Sequence, residues 1–341
     1  MSHTRLLLPL LLLLPVPALA QTRTQAPATA ASSARAQPTP NALGAFERDV
    51  LSLLALRDGA DRLAGAAVLA RAVPDLPPVL SYRSFLARAQ AAPGAGAPVW
   101  WVTLGDCGTP GPQPQDCISD AALARLQRLA PDNAAVWLLA YDRARQRGDA
   151  AAARSALARA AQCREFSTYY GVLLHAVLDA TRTLPMPATL VQQLGGPRGN
   201  AYAATYLLAA GNVMYLPTPA LAPLYETCKD PGHDATLRAQ CVRIAHLLAW
   251  GDTVFARAAG LDLQEHLATD AAARARYAAE RHALAWQTQQ FARLVLHARS
   301  DEKLAARLVQ LVLAGGTENT IQIALLREAG IASEPPGDWQ G

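Results

Sequence analysis

An all-α solenoid of stacked antiparallel helix pairs, with no substantial sheet, is the fold class that three features of the sequence predict. Apolar residues recur at helical spacing nearly everywhere, and no sustained run alternates with period two. The joints between apolar stripes are short, of the length that connects helices in a hairpin. The chain beyond residue 44, about 295 residues, is long for one compact core but natural for an array whose units bury themselves against their neighbours.

The chain is expected to begin with an export signal over residues 1–20: Arg5, an apolar run over 6–14, and a small-x-small cleavage site at Ala18-Leu19-Ala20. Pro9, Pro15 and Pro17 interrupt that run, which falls short of the roughly 20 residues a membrane-spanning helix needs. No cysteine follows the cleavage site to accept a lipid. The expected compartment is therefore the periplasm or the outside of the cell, with no membrane anchor in the mature chain. Residues 21–44 are Ala, Thr, Ser, Pro and Gln with few large apolar side chains, the composition of a disordered leader. The helical repeat domain is assigned to 45–331 and an extended tail to 332–341. A net charge of +4 is too small to indicate a nucleic-acid partner. All basic residues but Lys229 and Lys303 are arginine, a bias that a GC-rich genome produces without any anionic ligand.

Taken in order, a stripe over 46–72 opens the helical part, and looser stretches follow at 91–98 and 105–116. Leu123, Leu126 and Leu129 mark a helix after Asp120. Val136, Trp137, Ala140 and Ala144 mark the next, begun by Asn133, and Ala153, Leu157 and Ala160 a third, capped by Asp149. Similar stripes occupy 166–180, 201–215, 219–227, 235–250, 271–299, 304–314 and 321–329. Thr218 before Pro219, Asp234, Asp270 and Ser300 are expected to start helices. Turns fall at Gly148-Asp149, 195–199, Pro217-Thr218, Gly251-Asp252 and Gly315-Gly316. The glycine-rich 195–199 has no strand before it, so it is a joint and not a phosphate cradle. Abundant alanine favours helix and lets helix axes approach closely.

Residues 133–163 resemble a tetratricopeptide repeat, a helix pair of about 34 residues. With Trp137 as the large residue of the first helix, Gly148-Asp149 falls on the family's turn, and Ala153, Leu157 and Ala160 fall on the second helix's small, large and small positions. Pro131 stands where the preceding unit ends, and Leu123 and Leu126 on that unit's packing positions. Tyr141 and Ala144 depart from the pattern by exchanging a small and a large residue. An echo of the turn and of Ala153-Arg154 recurs at Gly251-Asp252 and Ala256-Arg257, 103 residues on. The resemblance implies a degenerate, right-handed solenoid whose concave surface binds a protein or peptide, and it brings no catalytic chemistry or cofactor.

Five cysteines allow fifteen ways of forming two bridges, five choices of the odd residue times three pairings. Proximity favours Cys107 with Cys117 and Cys228 with Cys241, leaving Cys163 as a free reactive thiol, one half of an intermolecular bridge, or a buried small hydrophobe at a helix end. Their spacing matches no zinc site, and no metalloprotease, serine-hydrolase, phosphate-loop or dinucleotide motif occurs. His246 and Trp250, like His282 and Trp286, stand four apart on expected helices, so each pair lines a groove or packs within the stack. Glu265-His266 and Glu280-x-His282 point in different directions and make poor acid/base pairs. Residues 274–282 read as a solvated face whose inner seam is Tyr277, Leu284, Phe291, Leu294 and Val295. Trp339 either docks onto the last helices or is free. The function expected is a non-enzymatic, exported protein- or peptide-binding adaptor of the bacterial envelope. A cell-wall enzyme of the lytic-transglycosylase type and an inhibitor of an exported toxin are the alternatives.

Overall fold

A computed structural model describes residues 41–106, 118–232 and 234–340 of the chain. Among them lie sixteen α-helices: α1 (Asn41–Leu54), α2 (Ala60–Ala72), α3 (Tyr82–Ala91), α4 (Ala97–Thr103), α5 (Asp120–Leu129), α6 (Ala134–Gln146), α7 (Ala150–Gln162), α8 (Tyr170–Thr181), α9 (Ala188–Gly195), α10 (Ala201–Val213), α11 (Leu221–Lys229), α12 (Ala235–Ala249), α13 (Val254–Leu267), α14 (Ala271–Ala298), α15 (Glu302–Leu313) and α16 (Glu318–Glu328). The described residues contain no strand, only an isolated bridge between Asn133 and Glu165. The chain is all-α, as its periodicity predicts.

Caps explain where several helices begin. The side chains of Asn133, Asp149, Asp234 and Asp270 each accept a backbone N–H from the first turn of α6, α7, α12 and α14, as their positions in the sequence predict. Two expected starts move. α11 opens at Leu221, beyond Thr218 and Pro219, because Asp142 of α6 reaches across and accepts the N–H of Ala220 at 2.7 Å. The cap of α15 is Asp301 and not Ser300. The stripe over 46–72 is two helices: Gly59 turns the chain at φ 107°, and Leu56 is left 82% exposed beside the break. α1 opens at Asn41, inside the segment read from composition as leader.

Neighbours in sequence pack as hairpins in α2 with α3, α6 with α7, α9 with α10, and α12 through α13 to α14. Helices remote in sequence pack as well. α2 lies against α8 and α10, α7 against α12, and α15 against α8 and α10. Glycine sets two of these crossings. A Cβ on Gly65 of α2 would stand 2.6 Å from the carbonyl oxygen of Ala176 in α8, and one on Gly260 of α13 would meet the Ala245 carbonyl of α12 at 2.7 Å. Trp101, wholly buried, donates its indole N–H to the carbonyl of Pro217 at 3.1 Å and tethers α4 to the joint before α11.

Cys228 at the end of α11 is bonded to Cys241 in α12, with 5.6 Å between their Cα atoms. The other expected pair, Cys107 with Cys117, lies outside the described residues. Cys163 is free and buried.

Two outcomes follow from this packing. Replacing both Cys228 and Cys241 by alanine is expected to lower the urea-unfolding free energy by about 2–4 kcal/mol, since the bridge closes a short loop in the unfolded chain. Gly260→Ala, although it raises helix propensity, is expected to destabilise by roughly 1–3 kcal/mol in the same titration because α12 and α13 must move apart.

Candidate functional site

α12 is amphipathic, with one face buried and the other open. Cys241, Ile244, Ala245, Leu247 and Leu248 are buried. On the opposite side Ala235, Ala239, Val242 and His246 follow one another at helical spacing and all are exposed. They form one wall of a groove of about 780 Å³, closed by Leu267 at the end of α13 and by Asp270, Ala273 and Tyr277 at the start of α14. A shallower depression of about 470 Å³ continues on the other side of α12 toward Ala161 of α7, with Arg243 lining both.

Two cations stand over the groove. Arg238 reaches the carbonyl of Leu267 at 2.7 Å, and Arg243 the carbonyl of Cys163 at 3.3 Å. Among the described residues neither forms an ion pair with a carboxylate; each is held by a backbone carbonyl. Asp270 is the acid at the rim, and its Oδ1 accepts the N–H of Ala273 at 2.7 Å in capping α14. One turn beyond His246, where α12 ends, Trp250 is 80% exposed, its ring 6.4 Å from the imidazole. Phe255, at the start of α13, is exposed too. The surface offers two guanidinium groups, an imidazole and an aromatic ring around an apolar floor. It can hold an extended or helical segment by burial and charge.

The six aromatic and histidine residues singled out from the sequence separate into three groups. His246 and Trp250 are the pair at the open groove. Trp137 and Tyr141 are packing residues of the α6–α7 hairpin: Trp137 donates to the Pro131 carbonyl at 2.8 Å beneath Arg159, and the buried Tyr141 hydroxyl bonds Pro223 and Thr227. His282 and Trp286 lie under the C-terminal tail, with Trp339 docked on them. Cys163 is sealed. Its thiol donates to the Arg159 carbonyl at 3.3 Å, and burial pushes its pKa up to about 11, which leaves little thiolate at neutral pH.

Sequence reasoning missed the polar network that fixes the turn leading out of the groove. Asn133 bonds the backbone of Ser167 through both ends of its amide and also reaches the Tyr169 hydroxyl. Asp252, in the turn after α12, accepts from Ser167 Oγ at 2.8 Å and from the Thr168 N–H at 3.0 Å. Glu318 of α16 accepts the N–H of Val254 at 2.8 Å. Burial raises the pKa of both carboxylates, and Asp252's charge raises that of Glu318 further. Both oxygens of Asp252 accept from backbone and hydroxyl donors and one oxygen of Glu318 accepts a backbone N–H, so the pair serves to join the 163–169 loop, the α12–α13 turn and the start of α16. Gly251-Asp252 was legible only as a turn, because its partners lie more than 60 residues away along the chain.

Among the described residues no three His, Cys, Asp or Glu side chains gather as a metal site requires, and no helix is long and apolar enough to cross a membrane. No protein-family model matches the chain, and neither a curated protein nor a solved structure matches it.

Two further carboxyls are buried, Glu47 of α1 and Asp142 of α6. Burial raises each to about 7, against a hydrogen bond from Asn212 in the first case and from Ala220 in the second. Asp142 Oδ1 has no partner among the described residues. Their unfolded-state pKa values lie near 4. Between about pH 4 and 7 the folded chain therefore binds more protons than the unfolded one, so their contribution to stability is complete below that window and is lost as pH rises through it. Asp142→Asn keeps the acceptor for Ala220 and removes the titration. The fall in unfolding free energy from pH 5 to pH 8, measured in urea, is expected to shrink by about 2 kcal/mol in the variant.

Proposed function

We propose that this chain is an exported, non-enzymatic adaptor, and that the face of α12 carrying Val242, His246 and Trp250 is where it takes hold of another protein or a peptide. The observation that carries the reading is Trp250, a large aromatic left 80% exposed one helical turn past His246, which lines a groove whose two arginines lack acidic partners. Exposed aromatic and arginine side chains are the types that dominate binding energy at protein interfaces. The Cys228–Cys241 disulfide fits an oxidising compartment. The hairpins α6–α7 and α12–α13 fit a distant, degenerate relation to tetratricopeptide repeats, in which such grooves receive peptides.

The test is affinity capture from envelope extracts with the full chain as bait, quantified by mass spectrometry against two variants. Trp250→Ala and Arg243→Glu are each expected to lower recovery of a specific partner at least tenfold, about 1.4 kcal/mol in affinity, while Leu56→Ser, on the exposed break between α1 and α2, leaves it unchanged. Recovery that is indifferent to all three substitutions would remove α12 as the binding face.

A further inference from the structure

Residues 332–340 lie on α14 beyond the turns of that helix that line the groove. After α16 the chain turns at Gly330, φ 67°, and both ends of the following segment meet α14 within residues 282–289. Trp286 donates its indole N–H to the carbonyl of Ala332 at 3.0 Å, and Gln287 its amide to the carbonyl of Ser333 at 2.9 Å. Trp339 then sits with its ring edge-on to Trp286, centroids 5.6 Å apart, and tilted over His282 at 4.7 Å, while its N–H reaches Gln289 Oε1 at 3.2 Å. His282, Trp286 and Gln289 stand at i, i+4 and i+7, one face of the helix.

The tail is therefore read in two ways: by its backbone carbonyls at one end, and by one aromatic ring at the other. Between them Glu334, Pro336, Gly337 and Asp338 are exposed. Three hydrogen bonds and two ring contacts must offset the entropy of ordering about nine residues, a cost that Pro335 and Pro336 reduce by restricting the free tail. Among the described residues the tail makes no other hydrogen bond or ring contact to the helices, so these five contacts are what hold it there. A face that holds a segment by carbonyls and a single ring does not require the segment to be in its own chain.

We infer that the His282–Trp286–Gln289 face of α14 is an exchangeable docking site for an extended, proline-containing segment bearing tryptophan, occupied in cis by the chain's own residues 332–339 and in trans by the same residues of a second copy. A short tether gives the cis tail an effective concentration in the millimolar range, so exchange becomes visible when the cis anchor is weakened.

The experiment uses the full chain and a fluorescently labelled peptide with the sequence of residues 332–341, followed by anisotropy. Trp339→Ala is expected to bind the peptide at least tenfold more tightly than the unsubstituted chain, and Trp286→Ala combined with Trp339→Ala to lose it. Hydrogen exchange over residues 332–340 should accelerate at least tenfold in Trp339→Ala. Equal binding by the unsubstituted chain and Trp339→Ala would place the peptide elsewhere and overturn the inference. No binding by Trp339→Ala, unchanged exchange, or failure of that variant to fold would overturn it as well, the last by making Trp339 part of the core.

Discussion

Close approach of helix backbones is the constraint on which the rest of this structure depends. Residues 63–70 of α2 are buried without interruption, and α1, α3, α4, α8 and α10 surround the helix. Only small side chains permit that: five of those eight residues are alanine or glycine, and at Gly65 the carbonyl of Ala176 lies where a Cβ would stand. Gly260 does the same where α13 crosses α12. Helices held at such distances move as bodies, so a substitution at a crossing displaces whole elements and with them the groove wall that α12 provides.

Apolar packing alone leaves the loops undetermined, and here the buried polar groups specify the arrangement. Asn133 ties the start of α6 to the 163–169 loop, Asp252 ties that loop to the α12–α13 turn, and Glu318 ties the turn to α16. Each is a side chain satisfying a backbone N–H or carbonyl that has no partner within its own helix, the condition on which burial of such groups depends. Asp142 performs the same service for α11, whose first residues offer no capping side chain of their own. The outer face of α12 is thus held from both ends: the disulfide and the Asp234 cap near its start, the Asp252 network at its finish.

What the sequence made legible was whatever a single helix encodes locally. Asn133, Asp149, Asp234 and Asp270 cap helices because the acceptor and its donor are three residues apart or fewer. α13 shows in the sequence only through the Ala256-Arg257 echo, because its buried Leu261, Leu263 and Leu267 cluster in its second half while Ala256, Ala259 and Gly260 carry the rest of that side. Thr218 does not cap α11 for the complementary reason, since the acceptor at the start of that helix comes from α6, 78 residues earlier. The same division holds for the site. His246 and Trp250 share a face by spacing alone and the pair was visible, whereas the wall opposite them is built from α13 and α14 and the covering of Trp286 from the tail 46 residues on.

The tryptophans show why exposure at one of them carries weight. An indole has a large apolar body and one N–H, and in a folded chain both needs are usually met together. Trp101, Trp137, Trp286 and Trp339 each give that N–H to an oxygen, three to backbone carbonyls and one to a glutamine. Trp100 is partly buried with Arg125 over its ring. Trp250 differs on both counts. Its N–H has no acceptor among the described residues, its body is left in water, and its ring contact is an imidazole that is exposed as well. Packing does not account for a residue so placed, one helical turn past the groove residue His246, and burial of that ring against a partner would satisfy both needs at once.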